Sequence, residues 1–101
     1  MANAFRVGRS SDVPEGGSRQ FDAGGKPVAV FRIGGVLHAL DGVCPHRGGP
    51  LGEGTVDGGV VTCPWHGWRF EVGSGSCLNV PGRGQARYAV REEGGDVVVE
   101  L

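Results

Sequence analysis

Two cysteines and two histidines carry the chemistry legible in this sequence. Cys44 and His46 stand one residue apart, Cys63 and His66 two residues apart, and 16 residues separate the pairs. Each knuckle offers one thiolate sulfur and one imidazole nitrogen, and four such ligands make a metal site. Structural zinc sites usually pair Cys with Cys and often His with His, so mixed knuckles suit two unlike metal atoms better than one. A cluster with one iron on two cysteines and its neighbour on two histidines needs this inventory. A single tetrahedral zinc would be satisfied by the same residues, although their order and flanks argue against it. The set takes two of three cysteines and two of three histidines, which argues against a chance grouping.

The elements that must position these ligands read as β. Of the 21 glycines, several gather at tight-turn positions. Gly34-Gly35 lies between predicted strands Val28 to Ile33 and Val36 to Leu40, and Gly94-Gly95 between Ala86 to Arg91 and Asp96 to Leu101. Double glycine accepts the positive φ angles of two-residue hairpins. Asp57-Gly58-Gly59 makes a third turn ahead of a Val60 to Thr62 strand that delivers Cys63. No stretch of helical length keeps a helical period free of Gly and Pro. The expected fold is all-β, a small antiparallel sandwich or barrel with two ligand loops at one end.

A chain of 101 residues predicts one domain, residues 1–101, with a radius of gyration of about 13 Å and a core small enough for a bound metal to help hold it. The formal charge of −1 supplies no basic stripe for nucleic acid. No apolar run is long enough to span a membrane, and Met1 to Ser10 has neither the apolar core of a signal peptide nor an anchor, so a cytoplasmic location is expected. Asp12 to Ser18 reads as a surface loop without function, and Gly82-x-Gly84 lacks the strand-to-helix context of a phosphate loop.

The stretch from Cys44 to Trp68, with Pro45, Gly48, Gly49, Pro50, Pro64 and Gly67 around the ligands, resembles the paired ligand loops of the Rieske iron-sulfur family. The resemblance is close in the ligand region and elsewhere rests on length and strand pattern. It implies the Rieske fold and one [2Fe-2S] cluster per chain. It gives Cys44 and Cys63 to the buried iron and His46 and His66 to the outer one. High-potential members carry an additional cysteine in each loop and a Ser and a Tyr just after the second histidine. Gly49 and Trp65 hold the first two of these positions here, and Trp68 and Phe70 the other two. No loop-to-loop disulfide and no hydroxyl donor is then available, so the implied potential lies low in the family's range, on the order of −150 to 0 mV.

The resemblance therefore points to a soluble Rieske ferredoxin, similar to the ferredoxin component of bacterial aromatic-ring dioxygenase systems. Such a carrier is not itself an enzyme; as a monomer it passes single electrons from a flavin-dependent reductase to a terminal oxygenase. Oxygenases with a Rieske domain also hold a mononuclear iron on two His and a carboxylate, and only His38 remains here for that. Two other readings stay open: a small subunit of a larger oxidoreductase, like that of nitrite reductase, and a zinc-stabilised interaction module.

The remaining candidates are peripheral. His38 reads as a half-buried strand residue, Cys77 as a reduced thiol, and Trp68 as packing, with Trp65 either packing or docking. Arg47 is placed at the rim of the cluster to meet an acidic partner, with Glu53, Arg69 and Arg83 weaker candidates for the same rim. Asn79 to Gly84 reads as a third loop over the site, with Pro81 shielding it.

Overall fold

The computed structural model describes residues 3–44, 49–65, 67–80, 82 and 84–101. Among the described residues there are nine strands and two single 3-10 turns: β1 Ala4–Arg9, β2 Ser18–Ala23, β3 Lys26–Ile33, β4 Val36–Asp41, β5 Thr55–Asp57, β6 Val60–Thr62, β7 Arg69–Glu71, β8 Arg87–Glu93 and β9 Asp96–Glu100, with the turns at Ser10–Asp12 and Leu51–Glu53. All ladders are antiparallel. The larger sheet runs β1-β9-β8-β4-β3-β2 and the smaller β5-β6-β7. The radius of gyration, 12.3 Å, is close to the value expected from length.

The larger sheet curls until its edges meet through side chains. A Cβ on Gly8 of β1 would come within 2.4 Å of the Phe21 ring on β2, and one on Gly24 within 2.6 Å of Phe5. The curl encloses a core of Val13, Ala23, Val28, Val30, Ala39, Val97 and Val99. A second core lies on the outer face of β3 and β4, under the smaller sheet. It comprises Ala29, Phe31, Leu40, Leu51, Val61, Phe70 and Val72 together with Cys44, Cys63 and Cys77. Strand β3 is buried on both faces, Val28 and Val30 inward and Ala29 and Phe31 outward, because successive side chains of a strand point to opposite sides.

The hairpins expected at Gly34-Gly35, Gly58-Gly59 and Gly94-Gly95 are present, each pair at positive φ. Strand β8 runs two residues beyond the predicted Arg91, to Glu93. A fourth hairpin, β2–β3 through Gly24-Gly25, is not among those expected, and Pro27 pairs with Asp22 inside its ladder. The segment Asp12 to Ser18 is more than a surface loop. Val13 is a core residue, and its carbonyl accepts from Arg32 Nε at 2.8 Å. Glu15 accepts from Gly34 N–H and Gly35 N–H at 2.7 and 2.6 Å, capping the β3–β4 turn. Among the described residues no helix is long and apolar enough to cross a membrane.

His38 lies on β4 opposite Phe31, half-buried as expected. Burial, then the charge of Arg87, lowers its pKa below 6.5. The unfolded chain therefore binds the proton more readily, and this contribution to stability falls as pH drops through about 6.5 toward the lower folded value. His38→Gln should narrow the melting-temperature loss between pH 7.5 and 5.5 relative to the parent protein. Parallel curves would assign His38 no part in it.

Candidate metal centre

Strand β4 runs on through Gly42 and Val43 to deliver Cys44, and β6 delivers Cys63 directly. Both cysteines start a loop closed in the same way. Cys44 N–H donates to Gly49 O at 2.9 Å and Cys63 N–H to Trp68 O at 2.7 Å, in each case to the fifth residue onward. Below these closures sit the Val43–Pro50 bridge for the first loop and the Thr62–Arg69 pair for the second. Two alike knuckles, one on each sheet, thus carry one cysteine each at the same position.

The knuckles meet. Gly49 is buried, and a Cβ there would lie 2.9 Å from Cys63 Sγ and equally close to Trp65 Cβ and Cγ. Cys44 and Cys63 are 1% and 2% exposed and share one core, close enough for Cys44 to act on the titration of Cys63. Burial pushes the Cys63 thiol above its ordinary range, an N–H hydrogen bond from Trp65 to the sulfur pulls the other way, and neighbouring Cys44 adds to the rise. A lone thiolate in such apolar surroundings is costly, whereas a bound metal balances its charge. The donor set and its burial therefore fit an iron-sulfur group bound through sulfur on the protein-facing side.

His46 and His66, the other two expected ligands, lie outside the described residues, as do Arg47, Pro81 and Arg83. Cys77 is 7% exposed, bridges to Phe70 and shares the core with the other two cysteines. Trp68 packs on that core, while Trp65 is 50% exposed. Val43 and Leu78 are exposed as well, so apolar side chains flank the knuckles on three loops. Glu53 and Arg69 are both exposed, on the Leu51–Glu53 turn and β7 respectively.

The described residues at the two ends of the Asn79 to Gly84 segment are tied to both knuckles. Leu78 N–H donates to Arg69 O at 2.8 Å, and Arg69 N–H to Asn79 Oδ1 at 2.5 Å, fastening it beside the second knuckle. At its neck Gln85 N–H donates to Gly75 O at 2.7 Å, and the Gln85 side chain reaches the chain leading to Cys44. Sequence reasoning missed Gln20, Asn79 and Gln85. Their partners lie ten to 44 positions away, so no local pattern marks them.

The family model for a Rieske [2Fe-2S] domain matches residues 3–94. Ferredoxin CarAc of Metapseudomonas resinovorans is 38% identical over 78 residues, 76% of this chain and 73% of that protein. Several monooxygenase relatives match at 40 to 45% identity, but the chain spans only 18 to 19% of their length. A solved complex of reduced oxygenase and oxidized ferredoxin in carbazole 1,9a-dioxygenase contains a chain that superposes with a TM-score of 0.83 at 34% identity, covering 95% of this chain and 91% of that one. A structure described as the NADH-dependent nitrite reductase small subunit from Mycobacterium tuberculosis superposes at 0.86 with 25% identity, covering 100% and 96%.

Proposed function

The chain belongs to the Rieske [2Fe-2S] domain family, and on that premise we propose that it is a one-electron carrier, a Rieske ferredoxin serving a terminal oxygenase. The observation that carries this reading is the meeting of two alike knuckles over a buried pair of thiols. Cys44 and Cys63 would hold one iron and His46 and His66 the other. When bound, such a cluster accepts and returns a single electron at a potential raised by its imidazole ligands above that of all-cysteine clusters.

The chain's own residues supply position, exclusion of water and a docking surface. Phe31, Leu40, Leu51 and Phe70, all fully buried, keep solvent from the cysteine side. The Trp65 N–H places a hydrogen bond on the Cys63 sulfur, which favours added negative charge there. Val43, Trp65 and Leu78 offer an apolar rim on which an oxygenase can seat without desolvating charges. The partner reductase is proposed to be flavin-dependent, the carrier a cytoplasmic monomer of one domain, and the substrate chemistry that of the oxygenase and not of this chain.

A small subunit held in a nitrite-reductase-like complex is the second reading, favoured by the fit over the whole chain at a TM-score of 0.86. Isolation from native extract separates the two, since a permanent subunit comes out bound and a carrier alone. The decisive test of the centre is electron paramagnetic resonance of the reduced protein with iron and zinc quantified on the same sample. About two irons per chain and an average g value below that of all-cysteine clusters are expected. About one zinc and no signal would replace the carrier with a structural module.

A further inference from the structure

The segment joining β4 to Cys44 is held by side chains from two distant parts of the chain. Along Asp41, Gly42 and Val43 successive backbone groups point to opposite sides, as in any extended chain. Gln85 Nε2 donates to Asp41 O at 2.9 Å and to Val43 O at 2.6 Å. From the other side Gln20 Nε2 donates to Gly42 O at 2.9 Å, while Gln20 Oε1 accepts from Gly52 N–H at 2.7 Å. All three carbonyls of the stalk therefore accept from side-chain amides, and Gln20 also grips the Leu51–Glu53 turn that leaves the knuckle. Gly42 and Gly52 leave the room this needs. A Cβ on Gly42 would lie 2.4 Å from Gln20 Nε2, and one on Gly52 2.6 Å from Gln20 Oε1.

We propose that Gln20 and Gln85 are positioning residues that clamp the Asp41–Val43 stalk from its two sides and so set where Cys44 stands relative to Cys63. The two cysteines arrive on different sheets and the stalk leaves β4 at Asp41; backbone bonds hold it too, Gly42 N–H to Pro27 O at 3.0 Å and Leu51 N–H to Gly42 O at 2.9 Å, but neither reaches the sheet that delivers Cys63. Gln85 is the link that matters most. It sits at the neck of the third loop, which Leu78 and Asn79 tie to Arg69 beside the second knuckle. A chain of hydrogen bonds thus runs from one knuckle to the other through the third loop. Both amides are only half-buried, so their value lies in geometry more than in stability.

The inference rests on the iron-sulfur reading, and iron analysis of the unaltered protein tests that reading first. The clamp itself is tested on loaded Gln85→Met, which keeps the length of the side chain and loses both donors, and on Gln85→Glu, which replaces the donor nitrogen by an acceptor. Both should lose visible absorbance to a chelator about threefold to tenfold faster than the parent and show an altered spread of g values. Gln20→Met, acting on the opposite side of the stalk, should shift the same two readouts and serves if the Gln85 variants do not fold. The effects of the double Met variant should fall short of additive, because both residues hold one segment. A lowered melting temperature with unchanged chelator rate and spectrum would overturn the proposal and leave the glutamines as ordinary loop supports.

Discussion

Gly49→Ala is expected to abolish most cluster binding while leaving the larger sheet folded. The added methyl group would stand 2.9 Å from Cys63 Sγ and from both Trp65 Cβ and Cγ. Those distances are shorter than carbon contacts tolerate, and Trp65 Cβ is fixed to its backbone, so no flexible tip can swing aside. The second knuckle must move away from the first, which separates the two thiols that the fold otherwise sets together in one core. Overpacking of this kind costs roughly 1–3 kcal/mol in a core. A domain of this size has about 5–15 kcal/mol in total, so the fold survives but the site does not. Gly73→Ala is the matched control, since nothing lies within 4 Å of a Cβ there. Iron per chain and visible absorbance should fall several-fold in Gly49→Ala and stay at the parent level in Gly73→Ala. Equal iron in both would mean that the knuckles are not in contact.

This contact explains how much of the site could be read beforehand. Ligand identity is local: Cys44 and Cys63 sit in short motifs with their own glycines and prolines, and the turns at Gly34-Gly35 and Gly94-Gly95 announce themselves because positive φ at two successive residues selects glycine. The resemblance of the motifs to a known family supplied the rest of the expected architecture. Features that depend on distant partners left no such trace. Gln20 and Gln85 look like ordinary surface amides until the fold brings them to opposite sides of one three-residue stalk. Val13 sits in a polar stretch that reads as solvent-exposed, yet it is 1% exposed in the inner core. The β2–β3 hairpin contains Pro27, whose residue type argues for a loop although its place in the ladder is regular. Periodicity and motif report on neighbours in sequence, whereas the clamp and the Val13 plug are properties of the closed sheet.

Phe70→Tyr should raise the reduction potential. Phe70 is completely buried on the middle of three short hydrogen-bonded segments, paired with Val61 on one side and bridged to Cys77 on the other. Its side chain belongs to the core that contains Cys44, Cys63 and Cys77, so a hydroxyl added at the ring enters surroundings whose side-chain acceptors are sulfurs. A phenol is also the group that stands at this position in the high-potential members the ligand motif resembles. A hydroxyl that donates to a ligating sulfur stabilises the state with more negative charge, which is the reduced one. If the preference is about 1 kcal/mol, the one-electron potential rises by on the order of 40 mV. The same hydroxyl left without an acceptor would cost about 1–3 kcal/mol of stability and change the potential little. Voltammetry and thermal melting on one loaded sample distinguish these results. A higher potential with a melting point near that of the parent places the ring beside a ligating sulfur. An unchanged potential with a lower melting point would place it away from the ligands and leave the ring as core packing alone.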